Sequence, residues 1–121
     1  LNKDLIKQMK KKKCEIQARS IFLQGLLLVN TNKLPINFLK WKYSFDKWNN
    51  WLINNNIDNI TAALKFVLQI KEIDNIIISC QNVDQLKKIL KIEDHNVNKV
   101  LFPSSLSNFD EKLINPQYWQ N

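Results

Sequence analysis

Only Gly25 in this 121-residue chain lacks a side chain, only Arg19 is an arginine, and only His95 is a histidine. No apolar run approaches the roughly 20 residues that a membrane-crossing helix needs, which sets a membrane span aside and leaves a soluble, cytoplasmic domain as the expectation. The opening LNKDLIKQMKKKK starts at Leu1 and places its lysines after a short amphipathic stretch. That is the pattern of neither a signal peptide nor a transit peptide, and the expectation is a portion of a longer chain. Cys14 and Cys80 lie far apart with no second Cys or His at ligand spacing, so they read as reduced, structural thiols. His95, in the polar run EDHNVN, reads as a solvated loop histidine.

What is present is enough to build a core: 45% of the residues are apolar and 10% aromatic, in a length that suits one domain, residues 1–121. The formal charge of +7 invites a nucleic-acid partner, because a basic face neutralises phosphates and releases counterions. The cations, however, are 17 lysines and one arginine beside 17 asparagines and 15 isoleucines, a skew that an AT-rich genome spreads over any chain. The densest cluster, residues 10–13, falls at an expected helix C-terminus, where cations oppose the helix dipole. Nucleic acid is therefore disfavoured as a partner.

Periodicity gives the order of elements. Leu5, Ile6 and Met9 stand at helical spacing within residues 3–13. Residues 16–28 then form a nearly continuous apolar run, the mark of a strand covered on both faces. VNTNKLPIN has turn composition around Pro35. Phe38, Trp41, Phe45, Trp48 and Leu52 draw one aromatic stripe along a helix and read as core. Asp58 or Asn59 can cap the next helix, whose buried face is Ile60, Ala63, Leu64, Val67 and Leu68. IDNIIISC, residues 73–80, reads as a second fully buried strand. It leads into a helix that Asn82 and Gln85 open as a capping box. The remaining residues form an irregular tail with one short helical piece at residues 109–113. This alternation is that of a parallel α/β fold, yet two strands cannot make a stable parallel sheet alone, so the chain pairs with something or part of the fold lies elsewhere.

Taken together, ARSIFLQGLLL, ALKFVLQIKEIDNIIISCQNVDQLKKIL and LINPQYW resemble the C-terminal part of bacterial aldo-keto reductases, over nearly the whole chain and in the same order. The family fold is a (β/α)8 TIM barrel of typically ~250 residues with its active site at the C-terminal ends of the strands. The resemblance implies a partial barrel: residues 3–13 as the sixth helix, 16–24 the seventh strand, 60–70 the seventh helix, 74–80 the eighth strand and 83–91 the eighth helix. Residues 36–55 would be an inserted helix, and an irregular C-terminal tail would follow. The missing N-terminal half of the barrel would be the partner that completes the sheet.

The same resemblance implies an NAD(P)H-dependent oxidoreductase that reduces aldehydes or ketones, with an Asp, Tyr, Lys and His catalytic set from earlier strands and none of it in this chain. This portion would supply cofactor loops, and on its own it would be inactive. Leu23, Gln24 and Gly25 match the strand-seven turn, Ser79, Gln81 and Asn82 the strand-eight loop, and Gln85 a polar position in the following helix. For Asn82 and Gln85 the capping box is an equal alternative. NADP and NAD both stay open, since no basic residue for a 2′-phosphate stands in the strand-eight loop. The rival readings are a small basic module that docks a protein or nucleic-acid partner, and a nonfunctional remnant.

Overall fold

The computed structural model describes residues 3–93 and 100–119. Helix α1, Lys3–Lys11, carries Asp4 in its first turn and Lys10 and Lys11 in its last, both favourable to the helix dipole. It is followed by strand β1, Gln17–Arg19. Three 3-10 turns then lead into helix α2, Lys42–Asn54, and after a short loop comes helix α3, Asn59–Leu68. Strand β2, Asn75–Ile77, precedes helix α4, Val83–Glu93, and a short helix α5, Glu111–Ile114, lies near the end. Among the described residues no helix is long and apolar enough to cross a membrane, and His95 lies outside them.

The expectation of a partial (β/α)8 TIM barrel, built on its last two βα units, is corrected. Helix dominates, and the sheet is two strands of three residues each, paired in parallel with Gln17 opposite Asn75 and Arg19 opposite Ile77. Neither strand is covered on both faces: Ala18 and Ile76 are half-buried, while their neighbours on the other face are exposed, Ile77 to 55%. The long apolar run at residues 16–28 misled because a run without period marks burial and not conformation. Here its residues serve two separate hydrophobic clusters. Phe22 is buried with Ala63, Leu64 and Ile89, and Ile21 and Leu28 pack on that group. Leu26 is buried with Leu34, Phe38, Phe45 and Leu113, and Leu23 and Leu27 pack there. A chain that places the adjacent Ile21 and Phe22 in one cluster and the adjacent Leu26 and Leu27 in the other cannot follow the alternation of a strand, and it leaves the extended path at Ser20 and coils.

The aromatic stripe on α2 and the turn before it is core, as its spacing predicts. Phe38, Phe45 and Leu52 are buried. Trp41 and Trp48 are half-buried, with indole N–H groups donated to the Asp110 carboxylate at 2.8 Å and the Leu27 carbonyl at 3.2 Å. Burial of Phe38, Phe45 and Leu52 contributes roughly 1.5–3 kcal/mol each. Asp58 caps α3 by accepting from the Thr61 N–H at 3.0 Å and its hydroxyl at 2.6 Å. Partial burial pushes the Asp58 carboxyl up, but the Thr61 bonds and the nearby Lys88 ammonium outweigh it and hold the group below its ordinary value. The small Ala62 and Ala63 are buried, which lets this helix approach closely.

Asp74 fastens the start of the sheet. Its carboxylate accepts from the Lys10 ammonium at 2.5 and 2.6 Å and from the Ile16 N–H at 2.7 Å, while its own N–H donates to the Ile16 carbonyl at 2.9 Å. The end of α1, the lead into β1 and the lead into β2 are thereby joined at one side chain. The Lys10 contact, followed by the Ile16 N–H, holds the carboxyl below its ordinary value. A lowered folded-state value means the stabilisation is present while the carboxylate is ionised in both states and is lost as pH falls through the lower folded-state value. Thermal unfolding should therefore show wild type above Asp74→Asn at neutral pH, with the gap closing below about pH 4. A gap that stays constant down to pH 2 would count against this role.

Candidate functional site

The parallel pairing brings the C-terminal ends of β1 and β2 side by side, and both chains leave the sheet there. From β1 the backbone enters the left-handed region at Ser20, with φ 57°, and again through Leu23, Gln24 and Gly25, at 50°, 52° and 89°. Three consecutive left-handed residues make a tight coil, closed by the Gly25 N–H donating to the Phe22 carbonyl at 3.0 Å and the Leu26 N–H to Leu23 at 3.0 Å. Each non-glycine residue in this region costs roughly 1–2 kcal/mol, and such strain concentrates at ligand sites. From β2 the chain runs through residues 78–82 into the N-terminus of α4.

Between these two exits lies a cavity of about 420 Å³, within the range of small-molecule sites. Gln24 and Gly25 line it from the first side, and Ser79, Gln81 and Gln85 from the second. Five of the seven residues assigned to a cofactor loop thus meet around one space. Leu23 points elsewhere: it packs on the Leu26 and Phe45 cluster and lines a neighbouring apolar cavity. Asn82 serves the helix, accepting the Gln85 N–H at 2.8 Å. Gln85 accepts in turn from the Gln81 N–H at 2.7 Å, one residue before the N–H that the usual capping box would satisfy.

One lining residue escaped the sequence reading. Arg19, the last residue of β1, is exposed at the cavity. Among the described residues the ion pairs are Lys10 with Asp74, Lys42 with Asp46 and Lys88 with Asp58, so none of the described carboxylates forms an ion pair with this guanidinium. Its signal in the sequence was its rarity, as the one arginine among 18 cations. Arginine offers a planar fork of donors suited to phosphate and carboxylate.

The donor set fits part of a dinucleotide. Arg19 and the adjoining end of the α4 dipole suit an anion, and the amides of Gln24 and Gln81 with the Ser79 hydroxyl suit ribose or phosphate oxygens. A Cβ built on Gly25 would meet nothing within 4 Å, so the space over its backbone is open to a ligand. Glycine is required there by its φ of +89° alone, not by crowding. Among the described residues no group of three His, Cys, Asp or Glu side chains is placed to hold a metal.

Two substitutions separate strain from space. Gly25→Ala should lose about 1–2 kcal/mol of stability in denaturant unfolding, because the added methyl is unhindered but the backbone is not. Gln24→Gly, at an exposed left-handed position, should gain up to about 1 kcal/mol. A destabilised Gln24→Gly would show that its side chain holds the turn.

No protein-family model, curated protein or solved structure matches this chain.

Proposed function

We propose that the chain binds a nicotinamide dinucleotide, NAD or NADP, at the cavity where β1 and β2 end, and supplies cofactor loops for the reduction of aldehydes or ketones. The observation that carries this reading is the convergence of Gln24, Gly25, Ser79, Gln81 and Gln85 on one cavity that also holds Arg19, which forms no ion pair with a described carboxylate. The first five come from the resemblance to aldo-keto reductases, and the sixth from geometry alone. Arg19 would hold a phosphate by paired charge-assisted hydrogen bonds, and the Ser79 hydroxyl and the two glutamine amides would orient the sugar. When bound, the dinucleotide supplies the hydride. The acid and base groups that act on a carbonyl would come from the rest of such an enzyme, as partner to this chain.

The coiled turn suits this task physically. Gly25 takes up the φ of 89° that closes the left-handed run, and the space beside its backbone is open. The energy stored in Leu23 and Gln24 is offset by the two clusters on which Leu23, Leu26 and Phe22 pack.

Titration of the full chain with NADPH and NADH, followed through tryptophan emission, should show saturable binding. Arg19→Ala should weaken it by about 10-fold to 100-fold, the loss expected when a charged hydrogen-bond partner is removed. Absence of saturable binding, or an Arg19→Ala variant with undiminished affinity, would overturn the reading. The chain mixed with NADPH and an aldehyde should not oxidise the cofactor, and measurable turnover would refute the view that the catalytic groups lie elsewhere.

A further inference from the structure

A second cavity, also about 420 Å³, adjoins the first: Ser20 and Ile21 line both. Its walls come from the coiled turn, α2, α3 and the tail, and its apolar surface is built on Phe45, Trp48, Phe66 and Phe102. In a chain with 24% charged residues, not one of the described residues lining this cavity carries a charge. Its polar groups are the hydroxyls of Ser20, Ser44, Ser104 and Ser107 and the amide of Asn108.

These walls are held in place before any ligand arrives. The Trp48 indole N–H is donated to the Leu27 carbonyl at 3.2 Å, which fixes that ring. Phe102 lies 4.9 Å from Trp51 and meets Phe66 edge to face at 5.2 Å, so the tail is anchored to α2 and α3 by aromatic contacts. Asn108 donates to the Ser44 hydroxyl at 3.1 Å and ties the tail to α2 a second time.

An ion placed here would lose its hydration with no opposite charge to replace it, whereas an uncharged molecule would exchange water for aromatic surface and a few hydroxyls. We infer that this cavity binds an uncharged, largely apolar small molecule, of the class of a two-ring aromatic alcohol, with its hydroxyl directed to the serine side chains. The site goes beyond the dinucleotide reading and stands without it, since its walls hold neither Arg19 nor any residue of the loop between β2 and α4.

Isothermal titration of the full chain with 2-naphthalenemethanol and with 2-naphthoate tests the inference, because the two probes share a shape and differ in charge. The alcohol should bind saturably at one site, about tenfold or more tighter than the carboxylate. Ser44→Lys, which sets a cation in the wall, should reverse that order. Ser107→Trp, at the exposed rim, should weaken the alcohol by about fivefold or more through occupation of the space. Equal affinities for the two probes in wild type, no saturable binding of the alcohol, or an affinity untouched by Ser107→Trp would each overturn the inference.

Discussion

The carboxylate of Asp74 is the constraint on which the arrangement of this protein depends. A two-stranded parallel sheet of three residues per strand has too few ladder hydrogen bonds to select its own register. Asp74 selects it from outside the ladder, by receiving the Lys10 ammonium and the Ile16 N–H at the point where both strands begin. Glu15 adds to the same end by accepting from the Asn75 amide at 2.5 Å. With the starts aligned, the ends are aligned too, and Arg19 stands opposite Ile77. The cavity depends on that juxtaposition, because its two walls belong to segments nearly 60 residues apart in the chain.

The second constraint is the demand made on residues 20–28 by two hydrophobic clusters. One lies under α3 and α4, the other between α2 and the tail, and the same short segment feeds both. A strand presents alternate residues to opposite faces of one sheet, and cannot distribute Phe22, Leu23, Leu26 and Leu28 in this way. The backbone adopts a left-handed coil instead, and burial of these side chains offsets the strain. The two cavities lie on either side of that coil, one lined with donors and an arginine, the other without charge. Ser20 and Ile21 belong to the walls of both.

Much of the helical part was legible from spacing. α1, α3 and α4 lie where periodicity and caps put them, with Asp58 capping α3 and Asn82 capping α4. The aromatic stripe from Phe38 to Leu52 was legible as core, although its first turn, Ile36–Trp41, is a 3-10 helix. The strands were not legible in extent. ARSIFLQGLLL and IDNIIISC are apolar without alternation, and such runs fit a buried coil as well as a buried strand. A barrel was inferred from resemblance where the residues themselves form a two-stranded sheet beneath helices. Of the seven residues that the resemblance implies for cofactor loops, Gln24, Gly25, Ser79, Gln81 and Gln85 line one cavity together with Arg19, whereas Leu23 packs on the Leu26 and Phe45 cluster and Asn82 caps α4, and a lone cation such as Arg19 carries no pattern in the sequence.

By itself the sequence determined which faces of the helices are apolar, where they begin, and that its one glycine stands at a break in an apolar run, because these depend on side-chain order and local backbone preference. Only the tertiary structure decided that the break is a left-handed coil, that Arg19 shares a cavity with Ser79, Gln81 and Gln85, and that, in a chain rich in lysine, the described residues around a second cavity carry no charge. Those features arise from contacts between segments distant in sequence, where the competition of two clusters for the same residues, and not the preference of any one of them, selects the conformation.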